Sequence, residues 1–583
     1  MAFSLLRITI LFFTVSLSAR LLVAAQPSPT WEWLAPLRAP QTVVTRKIVI
    51  DATGNSYVIG EFYGQASFGT NTLTSRGWYD VFVAKYNPTG NCLWARQIGP
   101  AVPNPVQFGP TTQASSIGVD KQGNVYITGT GTGRTLFNQL EITTSPDRFQ
   151  RTFLAKYSAD GTVLLAKAYD WSWAGDVALD TDGALYVGHG PPFLGGQQYV
   201  LVSKLDGQGT ILWSRGGHNT TFSGTSGPSV KVGPNHEVYL FSYYRYGATI
   251  DVDGQSTALL PTTGLTNSGT LTDNNAVFLA RYAASGTLNW VRTGYSTGTS
   301  TNINRPSAII STDLAVDEAG NAIITGSAYA GGTTFGSLVL PARGNTDTYV
   351  VKYDAQGQLI WGKQEGSQAI DVNNAGGIAV DKAGNAYLLS NFYKGQVMFG
   401  NTTLNGNSQY NNMALVKYTP QGQVQWAITQ QGGGNLTGSS IAANRNGDVY
   451  ITGSVWNTIQ LGNLTMTVSS GNSAFIRESM IAKLKSNFPL DDSDGESSSP
   501  FAEAFIPNII TPNKDGRNEQ FKILGLQPGQ WSCMVYNRWG KQVFYTPSYQ
   551  QDWQADGLWD GIYYYVLESR AGQLKKGWVE VRR

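Results

Sequence analysis

The sequence contains little cysteine, histidine and charge, and each shortage excludes a class of protein. Among 583 residues there are only two cysteines, Cys92 and Cys533. Two cysteines so far apart cannot form a disulfide framework, so we expect two unpaired thiols and a fold stabilised by burial. Charged residues make up 14% of the chain, the net charge is +2, and no long basic run occurs. The composition therefore does not predict a nucleic-acid partner.

Recognisable catalytic and metal-binding motifs are also missing. The three histidines, His189, His218 and His236, do not have the spacing of metal ligands, and no G-x-S-x-G motif occurs. Acidic residues lie mostly in predicted turns, although paired carboxylates from distant segments could still meet in space. We therefore assign no catalytic residue, metal ligand or cofactor from the sequence.

Glycine and aromatic residues are abundant. The chain has 67 glycines, and aromatic residues make up 12% of it. Glycine in tight turns, with tryptophan and tyrosine for packing, is typical of an all-β protein.

The first 25 residues predict a signal peptide. Arg7 precedes an apolar run from Ile8 to Val15, a second run covers Leu21 to Val23, and small residues end at Ala25. This pattern predicts export to the periplasm and cleavage after residue 25. The alternative is a membrane anchor, but Arg20 leaves the apolar run short for a bilayer. No later segment is apolar enough to span a membrane, so the mature chain is predicted to lack one.

A repeat organises residues 26–486. Each copy has an apolar strand, an Asp-x-x-Gly-Asn turn, a second strand, a variable stretch, a strand ending in Lys-Tyr, a glycine turn and a strand with tryptophan. The first-turn aspartate or its equivalent marks seven copies, at Asp51, Asp120, Asp180, Gly233, Asp317, Asp381 and Asn444. Four strands in each of seven copies predict a seven-bladed β-propeller.

The seventh copy lacks its fourth strand, which bears tryptophan in most other copies. The segment Thr30 to Ala35 resembles the fourth strand of the first copy around Trp94. We therefore predict that an N-terminal strand completes the last blade and closes the ring.

The repeated turn has two interpretations. Asp-x-x-Gly-Asn could suggest a calcium loop, but it lacks the alternating acidic ligands that such a loop needs. Aspartate, glycine and asparagine are the residues that a tight hairpin turn requires, so we interpret the motif as a turn.

These copies resemble the bacterial propeller repeats known as SBBP repeats. The resemblance covers roughly residues 30 to 485 and implies the propeller fold, but it does not specify a ligand.

The variable connections predict a recognition face. The first and third turns are short in every copy, whereas the second turn and the connection between copies vary in length. Aromatic side chains cluster in two of these segments, and we take them as candidate ligand-binding residues: Trp171, Trp173, Tyr243, Tyr244 and Tyr246. The alternative is that they pack against the propeller itself.

The tail begins with a predicted linker, residues 487–504. It is acidic and rich in serine, with few large apolar side chains. Residues 505–583 then become strand-like without the propeller repeat.

Residues 505–583 resemble the type B C-terminal sorting domain of type IX secretion, also called the gliding-motility-associated C-terminal domain. The matching residues are Pro512, Asn513, Asp515, Gly516, Asn518, Asn537, Arg538, Trp539, Gly540, Gly577 and Trp578. The resemblance implies an immunoglobulin-like β-sandwich, recognition by the outer-membrane translocon, and a secreted or outer-surface location. Asn513, Asp515 and Asn518 could ligate structural calcium, although a polar turn also explains them.

The leading functional prediction is an exported β-propeller that binds a glycan or a surface protein in adhesion. One alternative is a secreted carbohydrate-active enzyme, a lyase or hydrolase, with carboxylates in the propeller funnel. Another is a purely structural surface component.

Overall fold

The computed structural model describes most of the chain from residue 29 onward. The described residues are 29–103, 111–144, 150–190, 199–218, 227–245, 249–252, 255–258, 275–296, 308–329, 331–366, 374–393, 395–407, 409–468, 477–486, 507, 509–513, 518–523, 529, 531–569 and 574–583. They contain strands and turns and no helix. The predicted signal peptide and linker lie outside them. The chain divides into two compact units between residues 487 and 488.

The first unit repeats one antiparallel meander of four strands. Seven such meanders occur in the described residues. Their first strands are β2 (Thr42–Ile50), β8 (Thr112–Val119), β14 (Ala174–Leu179), β18 (Ser229–Val232), β24 (Ala308–Val316), β30 (Asn374–Val380) and β36 (Asn435–Ala443). Their second strands are β3 (Ser56–Tyr63), β9 (Val125–Gly131), β15 (Leu185–His189), β19 (Val238–Arg245), β25 (Ala322–Tyr329), β31 (Ala386–Tyr393) and β37 (Val449–Trp456).

The third and fourth strands complete each meander. The third strands are β6 (Asp80–Tyr86), β12 (Arg151–Tyr157), β16 (Tyr199–Leu205), β22 (Asn275–Tyr282), β28 (Thr346–Tyr353), β34 (Asn411–Tyr418) and β40 (Glu478–Lys485). The fourth strands are β7 (Cys92–Pro100), β13 (Val163–Tyr169), β17 (Ile211–His218), β23 (Leu288–Ser296), β29 (Leu359–Glu365), β35 (Val424–Thr429) and β1 (Thr30–Arg38). The last of these, β1, pairs antiparallel with β40.

First strands of successive sheets contact each other. β2 contacts β8, β8 contacts β14, and the series continues through β18, β24 and β30 to β36, which contacts β2. The hydrophobic core is accordingly divided into clusters between neighbouring sheets. One cluster joins the first and last sheets, and it includes Trp33, Leu37, Val43 and Tyr450.

The variable stretch after the second strand contains a short hairpin in six copies. These hairpins are β4 (Gln65–Phe68) with β5 (Asn71–Thr74), β10 (Arg134–Phe137) with β11 (Leu140–Thr143), β20 (Thr249–Val252) with β21 (Gln255–Ala258), β26 (Thr333–Phe335) with β27 (Leu338–Leu340), β32 (Gln396–Phe399) with β33 (Thr402–Asn405), and β38 (Thr458–Leu461) with β39 (Leu464–Thr467). Four of them pair with the fourth strand of the preceding sheet, as β10 pairs with β7. Each of these four covers a strand edge that would otherwise be unpaired.

The second unit contains one five-stranded sheet in its described residues. Its strands are β41 (Ile509–Ile510), β42 (Trp531–Tyr536), β43 (Gln542–Thr546), β44 (Gly561–Ser569) and β45 (Leu574–Val581), in the order β41-β45-β44-β42-β43. Its buried face packs against side chains from outside the strands: Phe521, Ile523, Tyr549, Trp553 and Ala555. In the described residues of this unit, apolar side chains of connecting segments cover the buried face of the sheet, and the two-sheet sandwich stays a prediction.

Both cysteines are free, as the sequence predicts. Burial raises the pKa of the Cys92 thiol to about 11. Such a thiol stays protonated near neutral pH and behaves as an inert apolar side chain.

Candidate functional site

The predicted aromatic residues on the variable connections are largely packed inside the protein. Trp171 is 5% exposed, and its ring stacks on Tyr169 at 4.2 Å and on His189 at 3.9 Å between centroids. Tyr243 is buried in the core beside β24 and β25, and half-buried Trp173 packs against another core cluster. This burial favours the packing alternative for these three residues.

The side chains of the other two aromatic candidates lie outside the described part of the structure. Tyr244 lies in β19, where only its backbone is described. Tyr246 lies outside the described residues. The three aromatic side chains that the structure describes, those of Trp171, Trp173 and Tyr243, belong to three different packing clusters and do not form one site.

A cluster of charges joins the first strands of several sheets. The Lys47 ammonium on β2 lies 2.5 Å from Asp176 on β14 and 3.6 Å from Asp313 on β24. Lys231 on β18 contacts the same carboxylates at 2.9 and 3.9 Å, and the Ser116 hydroxyl donates to Asp176. We name Lys47, Ser116, Asp176, Lys231 and Asp313 the inner charge cluster.

A β-bulge helps to orient most of this cluster. The strand register shifts immediately before Lys47, Ser116 and Asp313, and it also shifts around Asp176. An extra residue in one strand redirects the side chains that follow it. The bulges thereby turn polar side chains toward each other from strands that otherwise bury apolar residues.

Asp176 and Lys47 of the inner charge cluster are both charged at neutral pH. Burial alone would raise the pKa of Asp176, but the ammonium groups of Lys231 and Lys47 outweigh it and hold that pKa well below its usual range. Burial alone would lower the pKa of Lys47, but the two carboxylates raise it above its usual range. A carboxylate with so low a pKa cannot act as a general acid near neutral pH.

The first-turn aspartates are occupied by their own turns. Asp51 Oδ1 accepts hydrogen bonds from the backbone N–H groups of Thr53 and Asn55, and Asp51 Oδ2 accepts from the Asn55 side chain and the Tyr57 hydroxyl. Asp120 and Asp381 have similar partners. The carboxylates thus satisfy the turn backbone, as the turn interpretation expects. Among the described residues, no group of three or more histidine, cysteine or acidic residues is placed to hold a metal ion.

A cleft of about 460 Å³ opens beside the first sheet. Its lining residues come from several elements near the junction of the first, second and last sheets: Thr42, Val44, Arg46, Glu61, Tyr79, Gln113 and Arg477. Thr42 and Gln113 are at the beginnings of first strands, and Glu61 is near the end of a second strand. A first strand begins after the connection between copies, and a second strand ends at the variable stretch. The cleft therefore lies at the same end of the sheets as the variable connections.

The Glu61 carboxylate connects residues of the first and second sheets at the cleft. Its Oε1 atom accepts a hydrogen bond from the Ala114 backbone N–H, and its Oε2 atom accepts from the Arg46 guanidinium at 2.8 and 3.0 Å. Glu61 is 6% exposed, so the ion pair is partly shielded from water. It therefore fixes Arg46 between the first and second sheets.

Aromatic side chains lie next to the cleft. Tyr79 lines it, and Tyr79 contacts Tyr63 and Trp78 at ring-centroid distances of 6.0 and 6.1 Å. Tyr63 and Trp78 are themselves stacked. All three are half-buried, so their rings are held in place while part of each remains accessible.

The sequence reading missed the cleft and the inner charge cluster. A signal was present for the cluster, because a lysine or aspartate stands four residues before the turn aspartate in the first, third and fifth copies: Lys47, Asp176 and Asp313. The cleft had no such signal, since its residues come from elements that are adjacent only through the stacking of the first, second and last sheets.

The sorting-motif residues occupy turns and one sheet face of the second unit. Asn537 Oδ1 accepts from the backbone N–H groups of Trp539 and Lys541, and the Arg538 guanidinium lies 4.2 Å from the Trp539 ring centroid. Gly540 has φ +77°, which suits the tight turn. Gly577 lies against the Tyr565 ring, where a Cβ would be 2.2 Å from the hydroxyl oxygen.

The motif residues near the start of the second unit precede β42, and two of them lie outside the described residues. Pro512 and Asn513 follow β41, and the Asn518 carbonyl accepts a hydrogen bond from the Thr511 N–H. Asp515 and Gly516 lie outside the described residues, so the calcium alternative stays a prediction.

The outer face of the five-stranded sheet carries exposed apolar side chains. Tyr564 pairs with Trp578 on one side and Tyr536 on the other, and Met534 pairs with Tyr545 in the next row. Tyr564, Trp578 and Tyr545 are 49%, 47% and 55% exposed. We name these five residues the outer aromatic face.

Comparison with known families identifies both parts of the chain. The model for the CHU_C Type IX secretion signal domain matches residues 504–581. The chain carries a type IX secretion signal domain. The model for a beta-propeller repeat, SBBP, matches residues 93–138, which span β7 to β10. The protein is therefore a secreted or cell-surface β-propeller protein, and its signal domain implies engagement with the secretion machinery. The described residues include no helix with the length and hydrophobicity needed to cross a bilayer.

More distant similarities concern the propeller. An uncharacterized WD repeat-containing protein, L264, of Acanthamoeba polyphaga mimivirus is 24% identical over 476 residues, which are 67% of this chain and 32% of that protein. The chain thus spans about a third of the length of this curated relative.

Two solved structures are similar at low identity. The Dos1 propeller is 9% identical, with a TM-score of 0.36, covering 78% of this chain and 95% of its own. A polysaccharide lyase of family PL25, an ulvan lyase, is 10% identical with a TM-score of 0.37, covering 76% and 96%.

Proposed function

We propose that the first unit is a closed ring of seven blades in which β1 completes the last blade. Trp33 on β1 donates from its indole N–H to the Pro88 carbonyl at 2.8 Å, as Trp94 does to Ala159 at the next junction. The Tyr450 hydroxyl donates to Gly54, and the Ile48 N–H donates to Ser440. These bonds join the last sheet to the first and support a rigid scaffold.

We further propose that this exported propeller binds a glycan in the cleft next to Tyr79. The observation that carries the proposal is a cleft with convergent polar groups and a fixed aromatic wall. Sugar rings bind through stacking on aromatic side chains combined with hydrogen bonds from a few placed polar groups. Gln113, Thr42 and the arginines supply those groups.

The alternative of a carbohydrate-active enzyme receives less support. Acid–base cleavage of a glycosidic bond uses two carboxyl groups with different pKa values, one of them raised. In the inner charge cluster, Asp176 and Asp313 are both engaged by lysines, and the pKa of Asp176 is lowered. Glu61 is committed to Arg46. Binding without catalysis therefore fits these carboxylates better.

A glycan array probed with the full mature chain tests the binding proposal. We expect the chain to bind a glycan, and Tyr79→Ala with Gln113→Ala to weaken that binding by about tenfold or more. Leu212→Ala is the control, because Leu212 is a 58%-exposed side chain that is not among the residues lining the cleft. No bound glycan, or equal binding by the double variant and the control, would contradict the proposal.

For the second unit, we propose that the secretion machinery contacts the outer aromatic face. Soluble domains rarely expose contiguous apolar patches without a binding role, and this domain is one that secretion machinery engages. Tyr564 and Trp578 are directly paired at the centre of the face.

The test is export of the full chain in a type IX-competent bacterium. Tyr564→Ser with Trp578→Ser is expected to reduce the amount outside the cell several-fold without lowering the melting temperature of the purified protein. Glu580→Ser is the control, because Glu580 is on the same sheet but is polar. Normal export of a folded double variant would contradict the proposed contact surface.

A further inference from the structure

The cleft contains a guanidinium group that is positioned but not neutralised. Arg477 lines the cleft, and its guanidinium carbon lies 4.8 Å from the centroid of the Trp456 ring. Its backbone carbonyl accepts a hydrogen bond from the Val43 N–H, which anchors the residue to β2. Within the described part of the chain, no carboxylate forms an ion pair with Arg477.

The second arginine of the cleft differs, because Glu61 already pairs with it. The lining therefore has two arginines against one glutamate, and the uncompensated positive charge belongs to Arg477. Stacking on an indole restricts the guanidinium to an orientation in which its N–H groups can bind two oxygens of an anion at once.

We infer that the cleft selects an acidic glycan, whose carboxylate or sulfate binds Arg477 while a sugar ring contacts Tyr79. This inference rests on the proposed glycan-binding function and specifies its ligand. A carboxylate and a sulfate each present two acceptor oxygens that a guanidinium can bind at once. Both groups therefore belong to the predicted ligand class. A neutral glycan would leave the Arg477 charge uncompensated.

The experiment compares paired ligands whose main difference is charge. Oligogalacturonate and its methyl ester form one pair, and a sulfated galactan oligomer and its desulfated form are the other. Calorimetric titrations use the full mature chain, Arg477→Gln, Arg477→Lys and the control Arg445→Gln. Arg445 is an exposed arginine paired with Glu318, and it lies in a first turn rather than in the cleft.

The expected result is a preference of about tenfold or more for the acidic member of at least one pair, and the pair that shows it distinguishes uronate from sulfate. Arg477→Gln should remove the preference while retaining the affinity for the neutral member, and Arg477→Lys should restore part of it. Salt should weaken the preference, because the contact is electrostatic and Arg477 is exposed to solvent.

Other outcomes test the acidic-ligand inference and the glycan-binding proposal separately. Equal binding of acidic and neutral members, or an unchanged preference in Arg477→Gln, overturns the acidic-ligand inference and leaves the glycan-binding function standing. A preference lost equally in Arg445→Gln also overturns it, because a general charge effect would then suffice. Failure of every ligand to bind overturns both.

Discussion

At the scale of single residues, a glycine beneath a tryptophan recurs between neighbouring sheets. The tryptophan belongs to a fourth strand, and the glycine belongs to the third turn of the next sheet. The pairs are Trp33 with Gly90, Trp94 with Gly161, Trp213 with Gly286, Trp290 with Gly357, and Trp361 with Gly422. Each glycine also has a positive φ, so turn geometry and close approach of the indole both require it.

Gly161→Ala should destabilise the protein through both effects. A Cβ there would lie 2.9 Å from the Trp94 ring, and φ is +82°. Left-handed backbone costs alanine about 1–2 kcal/mol, and forced overpacking adds about 1–3 kcal/mol. Urea unfolding measures the change. Gly183→Ala is the control, because Gly183 has φ +84° but no atom within 4 Å of the added Cβ. Equal losses in the two variants would exclude the tryptophan contact as a cause.

The inner charge cluster predicts an acid-dependent contribution to stability. The folded-state pKa of Asp176 is below its unfolded value, so the stability it contributes is present above about pH 4 and is lost as pH falls toward the folded pKa. Asp176→Asn should cost about 3–5 kcal/mol at neutral pH, because it breaks a buried ion pair.

The urea midpoints of wild type and Asp176→Asn should therefore converge as the pH is lowered below about 4. Asp354→Asn serves as the comparison, because Asp354 only caps an exposed turn. A midpoint difference that stays constant from neutral to acid pH would show that Asp176 acts through packing rather than charge.

The residues that sequence predicted best are those that act locally. The turn aspartates and glycines follow from backbone geometry over four or five residues, and the structure shows Asp51 bonded as such a turn requires. Trp171 shows the opposite case. Its packing depends on His189, which lies eighteen positions away at the end of β15, and nothing in the local sequence distinguishes a stacked tryptophan from an exposed one.

At the scale of elements, the seventh sheet is assembled from both ends of the first unit. The sequence predicts a strand near Trp33 that complements a copy lacking one, and β1 is paired with β40 from Thr30 to Leu37. The six hairpins after the second strands were not predicted. Their strands have three or four residues, and their alternation is too short to separate from a polar loop.

Leu37→Ala tests whether β1 is an integral fourth strand. Leu37 is fully buried, and it stands four residues after Trp33, as Ile98 stands four residues after Trp94. If β1 packs as β7 does, Leu37→Ala and Ile98→Ala should each cost about 2–5 kcal/mol. Chemical unfolding of both variants measures this. A small loss in Leu37→Ala beside a large loss in Ile98→Ala would mean that the N-terminal strand is only loosely attached.

At the scale of the whole molecule, the sequence predicted two kinds of β unit, and the repeat carried most of that prediction. When a motif recurs seven times, the strand assignment in one copy is supported by the equivalent segments of the others. The second unit occurs once and has no such support. The sandwich was predicted from resemblance alone and stays a prediction. The packing of Phe521, Tyr549 and Trp553 on the sheet is a feature of tertiary structure that strand patterns do not encode.

Export should depend on the second unit while folding of the first should not. The two units are separately compact, and the type IX secretion signal match is confined to residues 504–581. A chain that ends at residue 504 is therefore expected to retain the melting transition of the propeller but to accumulate inside the cell. Cell fractionation in a type IX-competent bacterium measures the second effect, and calorimetry of the purified chain measures the first.

A reporter protein fused to residues 487–583, with its own signal peptide, provides the reciprocal arm. Export of the reporter together with retention of the truncated chain would establish that the second unit is both necessary and sufficient as an address. Export of a folded truncated chain would instead locate the address in the propeller, and the exposure of Tyr564 and Trp578 would then need another partner. Retention of a truncated chain that has also lost its melting transition would contradict the independence of the two units.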